Sequence, residues 1–318
     1  MIQPENKLMK KKMSIILFSF SVLLISVFCA YAQETMTVET VTFTDDLQRE
    51  VTVPVPLTSV VTLAPSLTET LAYLGAEDLI TAVDINSDFP ESISELPRIT
   101  GWDMSVNYEE LTALEPDLIL ASEMTSLETI SSMEDLGLNV FCIKNPADFP
   151  ELFESILMIG ELIGKTPEAE ELTAALSDRA AEIEAAAAEA EDKPLVFYEI
   201  DATDPAKPWT AGKGTFISKL IQMAGGVNLG DELDGEWIQI SLEALLQADP
   251  QIILLGDSMY GSTAEAASQR TGWNEISAVK TGKLFEFDDN LVTRPGPRLV
   301  EGFELIAQMI HPELFNSD

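Results

Sequence analysis

Short apolar segments of about four residues alternate with amphipathic stretches along most of the chain. The apolar segments have the length of buried β-strands, and the stretches between them have helical periodicity. Short strands separated by helices are typical of a parallel sheet that is covered by helices on both faces. Strands are predicted at residues 60–63, 80–83, 118–120, 140–143, 195–200, 252–255 and 284–287. The pattern therefore predicts an α/β fold.

Helices are predicted between these strands, and the first two long ones end at Gly75 and Gly137, as helices often do. The predicted helices span residues 66–74, 108–113, 126–136, 216–223, 242–246 and 299–310. An alternating segment, residues 38–53, precedes them and predicts a small hairpin around Asp45-Asp46.

The middle of the chain has a different pattern. Residues 167–192 begin with a proline and continue as an alanine- and glutamate-rich run that stops at Lys193-Pro194. About 25 residues at 1.5 Å each would make a helix of about 37 Å. This run would also fit a surface helix or a flexible acidic linker; we interpret it as a connector. The prediction is two lobes, residues 33–150 and 194–318, each a short parallel sheet flanked by helices. A single long α-helix within residues 151–193 joins them.

The two predicted lobes resemble each other internally. Glu109 lies seven residues before Pro116, and Glu243 lies seven residues before Pro250; in both places a helix, a proline and a buried strand follow in order. This similarity predicts two rough copies related by a pseudo-twofold axis. The two glutamates are either ordinary first-turn residues favoured by the helix dipole or a functional pair.

The first 32 residues have the order of a secretory signal peptide. Four lysines precede the apolar segment 15–28, and Ala30-Tyr31-Ala32 supplies an A-x-A cleavage site. The alternative is a retained anchor, but the apolar segment is shorter than the ~20 residues of a membrane span. Lipidation at Cys29 is disfavoured by the bulky Phe28. The sequence thus predicts an exported protein, periplasmic or associated with the cell surface.

Charge and composition exclude several functions. The chain has 54 acidic and 18 basic side chains, so its net charge of −36 repels nucleic acid. The single histidine, His311, excludes metal sites that need two or more imidazoles, and no metal site or cofactor is predicted. Cys142 lies in an apolar segment, is the only cysteine left after cleavage and is predicted to be a buried strand residue.

No catalytic motif is complete. The segment Gly256-Asp257-Ser258-Met259-Tyr260 lacks the last glycine of a nucleophile elbow, and Gly212-Lys213-Gly214-Thr215 lacks the features of a phosphate loop. Pairs of carboxylates arise by chance in so acidic a chain. The sequence therefore predicts a protein that is not an enzyme.

Binding residues are predicted instead in turn-like segments. Trp102 and Trp209 directly follow Gly101 and Pro208, and Trp237 lies two residues after Gly235, where the chain should reverse at strand ends. Ligands of open α/β sheets gather outside the carboxyl ends of the strands. The fourth tryptophan, Trp273, is expected to pack at the start of a helix.

Two of the six arginines, Arg294 and Arg298, share one proline-stiffened loop. Such a pair could bind an anionic or amide-rich ligand in bidentate geometry, or it could form salt bridges with carboxylates of the chain; the sequence leaves both possibilities open.

In combination, these segments resemble the periplasmic binding proteins of ABC importers for cobalamin and iron siderophores, over about four-fifths of the chain. The features that carry the resemblance are Ala64-Pro65-Ser66-Leu67-Thr68-Glu69, Ile99-Thr100-Gly101-Trp102, the two Glu-to-Pro helices, Ala224-Gly225-Gly226-Val227-Asn228, Ser241-Leu242-Glu243 and Arg294-Pro295-Gly296-Pro297-Arg298.

The resemblance implies that Glu109 and Glu243 dock onto the membrane permease, with Glu110 as an alternative contact on the first lobe. It implies a cleft walled by Trp102, Trp209 and Trp237. Two further positions that are aromatic in the cobalamin-binding branch are Asn86 and Ser122 here, and the spacing around Trp102 differs by one residue.

The function implied is capture of cobalamin or a related corrinoid by Trp102, Trp209, Trp237, Asn86, Arg294 and Arg298, and its delivery to an ABC permease with its ATPase. The protein is expected to be a monomer. A ferric siderophore or haem is the alternative ligand, and an exported α/β enzyme is the alternative from another class.

Overall fold

In the computed structural model, which describes residues 39–315, twelve strands and twelve α-helices account for the secondary structure together with short 3₁₀ turns. The strands are β1 (Glu39–Thr44), β2 (Glu50–Val55), β3 (Val60–Thr62), β4 (Ile80–Val83), β5 (Leu118–Ser122), β6 (Val140–Ile143), β7 (Leu195–Glu199), β8 (Trp209–Ala211), β9 (Val227–Asn228), β10 (Trp237–Gln239), β11 (Ile252–Leu255) and β12 (Leu284–Glu286). The predicted strands are confirmed to within one or two residues, and β1 and β2 form the predicted hairpin.

Two four-stranded parallel sheets form the framework. Their strand orders are β4-β3-β5-β6 and β12-β11-β7-β9, and every neighbouring pair is parallel. If the strands of each sheet are counted in chain order, both sheets read 2-1-3-4. The predicted fold class is confirmed. The shared strand order agrees with two copies of one unit, while the pseudo-twofold axis and the exact domain boundaries stay predictions.

Helices flank both sheets and match the predicted ones closely. They are α1 (Pro65–Tyr73), α2 (Tyr108–Ala113), α3 (Leu127–Asp135), α4 (Phe149–Leu162), α5 (Thr166–Ala187), α6 (Phe216–Met223), α7 (Leu242–Ala248), α8 (Ala264–Ser268), α9 (Ser277–Lys280), α10 (Asn290–Thr293), α11 (Leu299–Ile310) and α12 (Pro312–Phe315). Gly75 and Gly137 follow α1 and α3 with φ of +65° and +81°, a conformation that glycine adopts without strain.

The connecting region contains two helices, α4 and α5, which are separated by Gly164 at φ +74°. The long helix α5 has 22 residues and ends at Ala187, whereas the sequence predicts it to continue to Asp192. The prediction of its end is wrong for an electrostatic reason. Glu189, Glu191 and Asp192 would place negative charge at the negative end of the helix dipole, and no basic residue lies in the last turn.

Each sheet is buried on both faces. Successive residues of β5 alternate between two apolar clusters, with Leu118 and Leu120 in one and Ile119 in the other. The first cluster continues through α4 and α5 to the second sheet. Within it, Phe149 packs against Phe216 and Phe303, with ring centroids 5.4 Å and 5.6 Å apart. One apolar core therefore joins both sheets.

The predicted signal peptide, with its cleavage site and Cys29, lies outside the described residues. Between Glu39 and Phe315, no helix combines the length and the apolar character needed to cross a bilayer.

Candidate functional site

The carboxyl edge of the first sheet presents exposed apolar side chains. Trp102 and Met104 lie in the turn that leads to α2, Met124 lies two residues beyond β5, and Leu127 begins α3; all four are exposed. A cavity of about 320 Å³ opens beside Met104 and Met124 and is lined by Leu63, Thr100, Asp103, Met104, Ser105, Val106, Met124, Thr125, Ser126 and Thr129. This edge can therefore accept a large apolar group beside a set of hydroxyls.

Hydrogen bonds hold the turn that carries Trp102. The amide of Gly101 donates to the carbonyl of Ser105 at 2.9 Å. The Asp103 carboxylate accepts from the Ser105 hydroxyl at 2.6 Å and from its amide at 3.1 Å, and these bonds lower the pKa of Asp103. The Asn86 amide nitrogen lies 3.8 Å from the Met104 sulfur. The structure thus places Asn86 next to the Trp102 turn, although both residues are exposed and their ligand role stays a prediction.

The other two candidate tryptophans lie on a two-stranded antiparallel ribbon, β8 and β10, where the sequence predicts loops. In its register Trp209 faces Gln239 and Ala211 faces Trp237. Residues that face each other across strands lie on one side of the pair, so Trp209 and Trp237 are diagonal neighbours on the same face. Both rings are exposed. Ala211 on the same face is fully buried in the core, so the ribbon presents two exposed tryptophan side chains.

Two further residues at the second sheet are also large, apolar and exposed. Met259 and Tyr260 end the turn that follows β11, and both are exposed. Tyr260 lies next to Gly261, the kind of neighbour that singles out the tryptophans, while Met259 and Met124 lie a few residues beyond the buried strands β11 and β5. These positions could have identified the three residues from the sequence.

The arginine loop makes ion pairs with the opposite sheet edge. Arg294 donates to Glu69 at 3.2 Å, to Asp88 at 2.5 Å and to the carbonyl oxygen of Asn86 at 3.2 Å. Glu69 belongs to α1, which follows β3, and Asp88 follows β4, whereas Arg294 follows α10 beyond β12. The carboxyl edges of the two sheets therefore face each other and meet at these ion pairs.

Arg298 completes this cluster. It lies 3.4 Å from Glu69 and 3.6 Å from Asp288, and its guanidinium stacks 4.4 Å above the ring of Phe89. Burial raises the pKa of Glu69, against the lowering effect of Arg298 and Arg294. The salt-bridge alternative for the two arginines is thus realised in the structure, and a direct ligand role for them stays a prediction. Glu69 was missed because its partners are more than 220 residues away.

Buried acids underlie the second sheet edge. Glu199 ends β7, is fully buried and pairs with Arg270 at 2.6 Å; burial raises its pKa to about 7. The buried Tyr198 hydroxyl donates to Asp289, whose pKa burial raises to about 6. The pairing of Glu199 with Arg270 and of Tyr198 with Asp289 ties the loops that follow α8 and β12 to strand β7.

Two remaining residues of the sequence analysis, Trp273 and Cys142, pack inside the fold. Trp273 begins a 3₁₀ turn, is fully buried and lies 4.5 Å below Arg270, which confirms the predicted packing. Cys142 is buried in β6, and burial raises the pKa of its thiol to about 11, which confirms it as an unreactive strand residue. Within residues 39–315, no three His, Cys, Asp or Glu side chains converge as metal ligands.

Glu109 and Glu243 occupy equivalent places. Each is the second residue of its helix, α2 or α7, behind an N-cap side chain that accepts a backbone hydrogen bond, Asn107 or Ser241. Both glutamates are exposed. Glu110 instead accepts from the Asn107 amide at 3.0 Å and so belongs to the cap. Of the two neighbours on the first lobe, Glu109 is the freer carboxylate.

Comparison with known proteins agrees with this arrangement. The family profile described as "Periplasmic binding protein" matches residues 60–291. An uncharacterized ABC transporter substrate-binding lipoprotein of Bacillus subtilis, YvrC, is 33% identical over 280 residues, 86% of this chain and 87% of that protein. The cobalamin-binding protein of Halobacterium salinarum is 27% identical over 259 residues, 79% of this chain and 69% of that protein.

Among solved structures, a possible iron-binding periplasmic solute-binding protein of Staphylococcus epidermidis superposes with a TM-score of 0.70 at 27% identity, covering 80% of this chain and 99% of that one. Such proteins work outside the cytoplasm, bind a small molecule and serve an ABC permease with its ATPase. The chain belongs to the periplasmic binding protein family: it is the solute-binding component of an ABC importer and not an enzyme.

Proposed function

We propose that the protein captures cobalamin or a related corrinoid between the two sheet edges and delivers it to its permease. The observation that carries this proposal is the pair of exposed tryptophans, Trp209 and Trp237, which are diagonal neighbours on one face of the ribbon. A flat macrocycle that covers them buries apolar area at roughly 25 cal/mol per Å². The cobalamin-binding relative from Halobacterium salinarum supports this ligand.

The proposed contacts come from both edges. Trp102 and Asn86 lie on the first edge, and Trp209 and Trp237 lie on the second. Arg294 and Arg298 lie at the junction, where their ion pairs with carboxylates leave the cleft with few free cations. A corrinoid whose periphery is largely uncharged amide matches such a cleft. Because one chain supplies both walls, we propose that it acts as a monomer, in the periplasm or at the cell surface.

For delivery, we propose that Glu109 and Glu243 contact the permease. They are exposed, equivalent in position and separately capped, so neither is needed to hold its helix. Exposed ion pairs contribute about 0–1 kcal/mol each. Two such pairs, one on each sheet's unit, would therefore set orientation more than affinity.

Haem is the second candidate, and one observation favours it. Tyr260 is 82% exposed at the second edge and could offer a phenol oxygen to iron, whereas Tyr198 is buried and bound to Asp289. The iron-binding description of the Staphylococcus epidermidis structure agrees with a metal chelate as ligand.

Calorimetric titration of the purified protein with cyanocobalamin, haemin and a ferric siderophore tests the proposal. We expect heat of binding from cyanocobalamin, and we expect Tyr260→Phe to leave it unchanged. Binding of haemin without cyanocobalamin, abolished by Tyr260→Phe, would establish the second candidate instead. Binding of the siderophore alone would contradict both.

A further inference from the structure

The two arginines at the junction are held by a carboxylate from the opposite sheet edge. Glu69 is 1% exposed, and its Oε1 lies 3.2 Å from Arg294 and 3.4 Å from Arg298. The arginine side chains are themselves only 11% and 13% exposed. Their guanidinium groups are thus directed at Glu69 and its neighbours and are largely shielded from solvent.

The carboxylates of this cluster outnumber its cations. Asp88 on Arg294 and Asp288 on Arg298 add two exposed carboxylates, so that two guanidinium groups face three carboxylates. The third buried arginine of the second edge, Arg270, is likewise paired with a buried carboxylate, Glu199. An approaching ligand therefore meets a neutral to negative field here.

Such a field is strong enough to discriminate between ligands. One unit charge at about 12 Å, at an effective dielectric constant of about 20, changes a binding constant roughly tenfold. Exposed lysines such as Lys213 are screened by solvent and contribute less.

We propose that Glu69 determines the charge selectivity of the cleft: by holding Arg294 and Arg298, it makes the cleft accept neutral or cationic metal chelates and reject anionic ones. This inference rests on the proposed binding function and deepens it. Glu69 acts through the arginines and is a positioning residue, so its effect should appear as a change in ligand preference and not as a uniform loss of affinity.

Glu69→Gln tests the proposal, because it keeps the shape of the side chain and removes its charge. The ligand series is cyanocobalamin and its mono-, di- and tricarboxylic acids, which share one skeleton and differ in the number of peripheral amides converted to carboxylates. For the wild type we expect affinity to fall roughly tenfold with each added carboxylate. In Glu69→Gln we expect this penalty to shrink or reverse. Asp135→Asn, a change at an exposed carboxylate at the far end of α3, should keep the wild-type penalty.

Arg298→Gln makes the opposite change in charge, since it leaves Glu69 with one cation. The loss of affinity for each carboxylate added to the ligand should therefore become larger. This variant also decides the question if Glu69→Gln does not fold. If the folded variants lose the same affinity per added carboxylate as the wild type, the proposal is overturned.

Failure of the proposed function has a different signature, namely absence of cyanocobalamin binding by the wild type. In that case haemin and its dimethyl ester, which lacks the two propionate charges, measure the same charge dependence. Glu69→Gln should then favour haemin over the ester relative to wild type, and an unchanged ratio would overturn the proposal.

Discussion

Removing the aromatic surface of the ribbon should weaken ligand binding by an amount set by how much of each ring is exposed. Trp237 is 56% exposed and Trp209 is 40% exposed. For a side chain of about 250 Å², these fractions leave about 140 Å² and 100 Å² for a ligand to cover. At about 25 cal/mol per Å², full coverage contributes about 3.5 and 2.5 kcal/mol.

Trp237→Ala should therefore raise Kd up to about 400-fold, and Trp209→Ala up to about 70-fold. Coverage of half the Trp237 surface still predicts about 20-fold. Since the two rings are diagonal neighbours, the effects in the double variant should not be additive. The measurement is calorimetric titration with cyanocobalamin, or with whichever chelate the wild type binds.

Leu136→Ala is the control, because Leu136 is an exposed apolar residue at the far end of α3, near the amino end of β6. It should leave Kd within about twofold of wild type. A Trp237→Ala protein that remains folded and binds within threefold of wild type would refute the reasoning, since the ribbon would then lie outside the binding surface.

Two further predictions concern carboxylates. Replacing both Glu109 and Glu243 by alanine should leave ligand affinity unchanged and abolish uptake by vesicles containing the permease; loss of ligand binding would instead place them in the cleft. For Glu199, the folded-state pKa of about 7 lies above the ordinary value of 4.5, so the folded state binds more protons and stability should fall as pH rises between these values. The loss is on the order of 3 kcal/mol. Urea unfolding at pH 5 and pH 8 should show a smaller difference in Glu199→Gln than in wild type, and an equal difference would contradict the assignment.

Local patterns predicted the elements well. The four-residue apolar segments became β4, β6 and β11 without a shift, because a short strand buried on both faces needs an unbroken apolar run. Gly75 and Gly137 marked helix ends because both residues after the helix need positive φ. These signals lie within a few residues of the feature that they predict.

Such local patterns do not predict which residues pair when they are far apart in the sequence. The strands β8 and β10 have three residues each and pair across more than twenty residues, so no local alternation marks them. The same holds for Glu69, whose arginine partners lie more than 220 residues away. The candidate site was therefore predictable as a set of strand-end residues, while the ribbon and the charge cluster that organise it were not.

The aromatic contacts of Phe149 have a mechanical consequence. Phe149 begins α4. The two rings that it contacts, Phe216 and Phe303, belong to helices that pack on the second sheet. A wide hinge motion of one unit against the other would pull these rings apart and expose well-packed apolar surface to water. Thermal opening and closing of one unit against the other should accordingly have a small amplitude. The ligand should then enter a nearly preformed site. Release of the ligand would then require an external force. The permease would supply it by binding both units and straining the packing around Phe149.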